Sequence, residues 1–225
     1  MKISDLPADE RPIEKCLFGG PGILSNAELL ALVIHSGTPE RSAVALAEEL
    51  LGSLDGGLRG LAAASPQELM ELKGIGRVRA CSLAAAAELG RRVSRPDMTK
   101  GYVISGADDV ASLLMEEMRY EKKEHFKCVL LDTKGRVITV EDVSTGDLSA
   151  TPVHPREVFS PAVRKSAASV VCVHNHPSGD PTPSREDIAT TERLCQVGSL
   201  LGIRVLDHVV IGDGRYASML NEGYL

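Results

Sequence analysis

At 225 residues the chain is long enough for one large domain or two small ones, and 43% apolar residues suffice for a real core. Aromatics are only 3% and Trp is absent, so that core must be aliphatic. A net charge of −6 excludes bulk positive charge as an argument for nucleic-acid binding, and no apolar stretch approaches the ~20 residues of a membrane span.

The first hundred residues read as helices. Ser25 and Glu28 have capping-box spacing before Leu29, Leu30, Leu32 and Val33, and Gly37 is expected to end that helix. A second helix is predicted over Ser42–Leu51. Ser65-Pro66-Gln67-Glu68 opens a third, with Ser as N-cap and Pro at the first helical position. After Lys73-Gly74-Ile75-Gly76 an Ala-rich helix should run from Arg77 to Val93, with Pro96 as its stop. Residues 1–95 thus form an expected helical domain, and 96–102 a linker.

Composition changes over 103–225. Gly106–Tyr120 predicts one more helix. Lys127–Asp132 and Arg136–Glu141 flank Thr133-Lys134-Gly135 and predict a hairpin. Pro155–Lys165 reads as a helix, Ala168–His174 as a buried strand and Ser184–Leu201 as a helix. Ile203–Ile211 and Tyr216–Met219 predict a last hairpin. Mixed strands and helices point to an α/β or α+β domain.

Cys16, Cys81, Cys128, Cys172 and Cys195 are odd in number and have neither zinc-finger nor disulfide spacing. Five buried thiols in a reducing compartment are expected. Met1-Lys2-Ile3-Ser4-Asp5 lacks the basic start and apolar run of a signal peptide, so a soluble, cytoplasmic protein is expected.

The chemistry concentrates at Val170-Val171-Cys172-Val173-His174-Asn175-His176-Pro177. Alternate residues of an extended chain share a side, so His174 and His176 project together where the strand ends. Two neutral imidazoles on one face are half of a zinc site. Ser184-Arg185-Glu186-Asp187 then opens a helix. Ser184 and Asp187 alone fit a plain N-terminal cap, but beside the two histidines Asp187 completes a ligand set that leaves a fourth position for water. Zinc would lower the pKa of that water to ~7.

His174-x-His176, seven residues, Ser184, two residues and Asp187 together resemble the JAMM (MPN-plus) metallopeptidase signature. The wording His154-Pro155-Arg156-Glu157 and His174-Asn175-His176-Pro177-Ser178-Gly179 resembles the RadC family over essentially the whole chain. That resemblance implies an all-helical helix-hairpin-helix domain, then a JAMM/MPN-like domain with a central mixed sheet flanked by helices. It implies a Zn2+ cofactor and hydrolysis of a peptide or isopeptide amide. It also implies a carboxylate acting as general base near the start of an early strand. Glu124 matches best, with Glu121 and Glu141 as rivals and a solvated charge run as the plain alternative. Ser184 would correspond to the residue that hydrogen-bonds the tetrahedral intermediate. His154 and His208 read as structural hydrogen-bonding residues before ligands, and His35 and His125 have no partner at ligand spacing.

Leu72-Lys73-Gly74-Ile75-Gly76-Arg77-Val78-Arg79-Ala80 resembles a helix-hairpin-helix motif. Gly74 and Gly76 would let the backbone turn, and the next helix would present free N–H groups to a phosphate. Residues 73–95 hold six basic residues, Lys73, Arg77, Arg79, Arg91, Arg92 and Arg95, and one acidic residue, Glu88. Weak, sequence-independent DNA binding through Lys73, Gly74, Gly76, Arg77 and Arg79 is therefore expected, and a tight turn between packed helices is the alternative. A DNA-associated repair factor, or a metal-binding interaction module without turnover, remain the rival functions. The physiological substrate is not legible.

Overall fold

The computed structural model describes residues 7, 10–94, 101–146 and 153–225. Most of the expected linker, with Pro96 and Arg95, lies outside the described residues. The chain divides into two compact units, Met1–Val93 and Ser94–Leu225.

The first unit holds α1 (Pro12–Gly19), a 3-10 turn (Pro21–Ile23), α2 (Asn26–Ile34), α3 (Ala43–Ser53), α4 (Leu58–Ala63) and α5 (Pro66–Leu69), with α6 (Arg77–Ser94) running to its end. Capping boxes start α2 at Ser25/Glu28 and α5 at Ser65/Glu68, as their spacing predicts. The core is aliphatic: Leu30, Ile34, Leu46, Leu50, Leu69 and Leu83 are all buried. α1 and α4 were not foreseen; each is short and buries one residue, Pro12 and Leu61. α2 stops at Ile34 rather than Gly37, because His35 itself takes the positive-φ cap (φ 73°) and donates its N–H to Ala31. Gly37 serves close approach instead, since a Cβ there would lie 2.1 Å from the Arg41 carbonyl oxygen. The thiols also depart from expectation. Cys128 and Cys172 are buried, Cys16 and Cys195 are half-buried, and Cys81 is exposed because α6 buries only Ala80 and Leu83.

The second unit holds α7 (Ala107–Met118), β1 (Glu124–Leu131), β2 (Val137–Gly146), α8 (Pro155–Arg164), β3 (Ser169–Asn175), α9 (Arg185–Leu201), β4 (Arg204–Ile211) and β5 (Tyr216–Ser218). The sheet order is β2-β1-β3-β4-β5. β3 and β4 are parallel, joined through α9, and the other pairs are antiparallel. β2 runs past the expected Glu141 because its charged residues have partners: Asp142 faces Lys127 across the ladder and Glu141 pairs with Lys165.

Alternation along the strands builds two cores. Phe126, Cys128, Leu130, Val170 and Cys172 pack against Val158 and Phe159 of α8 and Leu194 of α9. Val129, Leu131, Val171, Val173, Val209 and Ile211 pack against Val110, Leu113, Leu114 and Met118 of α7. Every residue of β3 is buried, which explains why it reads as an unbroken apolar run. By the same alternation His174 and His208 belong to the α8/α9 face. No described helix is long and apolar enough to cross a membrane.

The two glycines of the 72–80 hairpin are not equivalent. Gly74 has φ 108°, and a Cβ there would meet Thr38 Cγ2 at 2.9 Å and Leu46 Cδ1 at 3.1 Å. Gly76 has an ordinary φ and open space around it, and its carbonyl accepts the Ala80 N–H at 3.0 Å as α6 begins. Gly74→Ala should destabilise the protein by about 1–3 kcal/mol through backbone strain and crowding. Gly76→Ala should stay within about 0.5 kcal/mol of the parent. Urea unfolding of both variants checks the contrast.

Candidate metal centre

β3 delivers His174 at its penultimate position, wholly buried and stacked on Phe126 with ring centroids 6.2 Å apart and planes 4° from parallel. One residue past the strand, the His176 N–H still donates to the Ile211 carbonyl of β4 at 2.9 Å. The chain then turns at Gly179 (φ 81°), and the Asp180 carbonyl comes to lie 2.8 Å from His176 Nδ1. A carbonyl can only accept, so Nδ1 carries the hydrogen and the Nε2 lone pair of His176 faces inward.

Asp187 arrives from the first turn of α9. Its Oδ2 accepts the Ser184 N–H at 2.8 Å and the Ser184 hydroxyl at 2.6 Å, while its own N–H donates to Ser184 Oγ at 3.1 Å. The cap and the candidate ligand are therefore one arrangement: Ser184 grips Oδ2 and leaves Oδ1 turned to His174.

The ligating atoms converge. His174 Nε2 and His176 Nε2 are 3.0 Å apart, His174 Nε2 lies 3.3 Å from Asp187 Oδ1, and His176 Nε2 lies 3.5 Å from Asp187 Oδ2. Donors ~2.0–2.1 Å from a tetrahedral zinc stand roughly 3.3–3.4 Å from one another. The two histidines face different Asp187 oxygens, and with one ligand atom taken from each residue the three lie within 4.8 Å of one another, so a small turn of the carboxylate would seat such an ion. The three side chains form the metal-capable group of His, Cys, Asp and Glu found among the described residues. The electrostatics agree. Burial opposes ionisation of Asp187, but the neighbouring His174 and His176 rings and the hydrogen bonds from Ser184 outweigh it and hold the carboxyl far below its ordinary range. The Asp187 carboxylate beside the ring, opposed by burial and aided by the Asp180 carbonyl, raises His176 above the usual imidazole value. Every feature favours positive charge where the three donors meet.

Glu124 is the first residue of β1. The β1–β3 ladder begins at Phe126 and His174, and Glu124 stands two residues before that pair at the same end of the sheet as His176. Its charge also contributes to raising His176. Glu121 instead lies 3.5 Å from His125 Nε2, and Glu141 lies on β2 within 3.4 Å of Lys165.

Two residues of this neighbourhood, Asn175 and Thr191, escaped the sequence reading, and a third, His208, is hydrogen-bonded as that reading expected. Asn175 is buried with its side chain on the other face of β3 from the histidines. Its Oδ1 accepts the His125 N–H at 2.8 Å, and its Nδ2 donates to the Lys123 carbonyl at 3.1 Å. It clamps the start of β1 that carries Glu124. His208 lies buried on β4 with Nε2 2.8 Å from His174 Nδ1, and burial holds it well below the usual imidazole range. Thr191, one turn after Asp187, lies 2.5 Å from His208 Nδ1. His154 accepts the Arg156 N–H as the cap of α8, and His125 faces Thr145 and Glu121.

The hairpin candidates lie in the other unit. Arg79 turns inward, donating to the Gly74 carbonyl at 2.5 Å, the Gly37 carbonyl at 2.8 Å and Ser36 Oγ at 3.0 Å. Lys73 is exposed 3.6 Å from Glu40, and Arg91 and Arg92 both pair with Glu88. Arg77 and Gly76 are exposed at the start of α6.

Asn175→Ala should lower stability by about 1–3 kcal/mol, because it orphans buried backbone groups of the 123–125 segment. Faster amide exchange at His125 than in the parent would report the loosened strand start.

Residues 104–224 match the RadC-like JAB domain, and residues 3–81 match the UPF0758 N-terminal family. Similarity extends over whole chains. A UPF0758 protein of Bacillus licheniformis is 50% identical over 225 residues, covering 100% of both chains. One from Alkaliphilus metalliredigens is 51% identical over 99% of this chain and 96% of its own, and one from Caldanaerobacter subterraneus subsp. tengcongensis is 48% identical over 100% and 96%. The chain belongs to the UPF0758 family and carries its RadC-like JAB domain over residues 104–224.

Proposed function

We propose that the protein hydrolyses a peptide or isopeptide amide, using a zinc ion held by His174, His176 and Asp187. The observation that carries this is the convergence of two imidazole nitrogens and a carboxylate at separations of 3.0, 3.3 and 3.5 Å. A bound Zn2+ supplies Lewis-acid polarisation and a water molecule acidified to a pKa of ~7. Glu124, two residues before the Phe126–His174 pair on β1, accepts a proton from the attacking water and returns it to the leaving amine. Ser184 first of all orients Asp187. Donation to the developing oxyanion requires its hydroxyl to swing off Asp187 Oδ2.

The free thiols support a reducing, cytoplasmic setting. A DNA-associated repair or recombination role for the helical unit would rest on Arg77 and the backbone N–H groups that open α6, since Lys73, Arg79, Arg91 and Arg92 already face acceptors of their own. The metal cluster carries the hydrolase reading instead.

Elemental analysis of purified protein should give about one zinc per chain. His174→Ala, His176→Ala and Asp187→Ala should each lower that occupancy strongly while the sheet still folds. Zinc retained at parental level in all three would remove the assignment. Glu124→Gln keeps size and most hydrogen bonding but not basicity. It should keep zinc and lose hydrolysis by ~10²–10⁴-fold against a panel of peptide and isopeptide substrates. An active Glu124→Gln beside an inactive Glu121→Gln would move the base to Glu121.

A further inference from the structure

Four residues form a hydrogen-bonded circuit behind the metal cluster: Asp187 and Thr191 on α9, His208 on β4 and His174 on β3. The contact between His208 and His174 is made through His174 Nδ1, the ring nitrogen turned away from His176 and Asp187. Which nitrogen of His174 carries hydrogen decides whether it can bind a metal at all. The circuit settles that question from its far end.

We infer that Thr191 and His208 are positioning residues that lock His174 into the tautomer whose Nε2 lone pair faces the metal. This rests on the zinc reading above.

The argument starts at the Thr191 hydroxyl, which lies 2.7 Å from the Asp187 carbonyl oxygen, 2.5 Å from His208 Nδ1 and 3.1 Å from Met219 Sδ. Two oxygens at 2.7 Å hold a hydrogen between them, and the carbonyl has none to give. Thr191 therefore donates back to the carbonyl four residues earlier in α9, a bond that Ser and Thr side chains form readily within helices. Its single hydrogen is then used, so the contact with His208 must be a donation from Nδ1–H to Thr191 Oγ1. A neutral imidazole carries one N–H, which leaves His208 Nε2 as an acceptor. Across the 2.8 Å gap, His174 Nδ1 must donate. The lone pair of His174 is then on Nε2, aimed at His176 Nε2 and Asp187.

Two further observations support this direction. His208 is wholly buried, and its ring nitrogens meet a hydroxyl and an imidazole, so a proton added there would be a buried charge without a carboxylate partner on the ring. Run backwards, the circuit places hydrogen on His208 Nε2 and so on His174 Nε2, where it would meet the His176 Nε2 lone pair at 3.0 Å but occupy the position the metal needs. That direction would also leave two oxygens 2.7 Å apart with no hydrogen between them. In the inferred direction the two Nε2 lone pairs face each other, and that close pair is what a cation between them relieves. The carbonyl that orders the circuit belongs to Asp187, so the two ligands are linked through Thr191 and His208. Ligating histidines commonly donate their second nitrogen to an acceptor, and loss of such a partner typically weakens metal binding roughly 10–100-fold.

The test uses the full chain labelled with 15N-histidine, stripped of metal. Two-bond 1H–15N spectra distinguish protonated from unprotonated ring nitrogens. His174 and His208 should both appear as Nδ1–H tautomers. Hydrogen on His208 Nε2, or on both of its nitrogens, would overturn the inference without any variant being made. Zn2+ is then titrated against a competing chelator into the parent, Thr191→Val and Thr191→Ser. Thr191→Val keeps the shape and loses the hydroxyl, and it should bind roughly 10–100-fold more weakly, while Thr191→Ser restores parental affinity. A cooperatively folded Thr191→Val that binds Zn2+ as tightly as the parent would overturn the inference as well. A parent chain that takes up no Zn2+ would remove the zinc reading, while the ring spectra would still decide the tautomers.

Discussion

Two imidazole nitrogens and a carboxylate packed within 3.5 Å of one another, at the end of a strand with every residue buried, demand positive charge between them. Water cannot screen that convergence as it would at a surface, because His174 is wholly enclosed. Much of the surrounding structure answers to this demand. The Asp180 carbonyl and the Thr191–His208 pair each hold a histidine with its lone pair inward. Ser184 holds Asp187 by one oxygen and leaves the other toward His174. Asn175 ties down the strand start that bears Glu124.

The fold makes this possible through one local path and two long-range registers. His174, His176 and Asp187 come from a continuous stretch: the end of β3, the turn at Gly179 and the first turn of α9. The parallel β3–α9–β4 unit returns α9 over the sheet, so the start of that helix stands over the end of the strand it follows. Glu124 and His208 come from β1 and β4, the two strands that flank β3. Their places depend on pairing, not on nearness in sequence. A slip of one residue between β1 and β3 would turn Glu124 to the α7 face and remove it from the histidines.

That distinction explains what was legible in advance. The cluster of His174, His176 and Asp187 could be read because its signals are local: a period of two at His174 and His176, and capping-box spacing at Ser184 and Asp187. Most helix starts were local too, as at Ser25, Ser42 and Ser65. Asn175, Thr191 and His208 carry no such signal. Asn175 matters through strand β1, some fifty residues earlier in the chain, and Thr191 matters only because β4 brings His208 to it. The direction of Arg79 was not legible for a related reason: a count of basic residues says nothing of where each side chain turns, and this one closes the hairpin on Gly74, Gly37 and Ser36. His35 shows the limit of residue preference, since it takes a left-handed cap that Gly37 was expected to supply.

A cluster of converging donors works against folding, and this chain places it where the backbone is most heavily constrained. β3 is hydrogen-bonded on both sides, to β1 and β4, and packed on both faces. Such a strand can hold His174 in a setting that a loop would relax away from. Asp187 sits differently, in the first turn of a 17-residue helix, where a carboxylate satisfies backbone N–H groups and opposes the helix dipole whether or not it also faces histidines. The two ligand sources thus offset the same electrostatic cost by different means, one by rigidity and one by capping. Asp187 is the member whose structural role stands without the histidines. His174, with neither ring nitrogen exposed, is the member whose burial is hardest to explain except by what it binds.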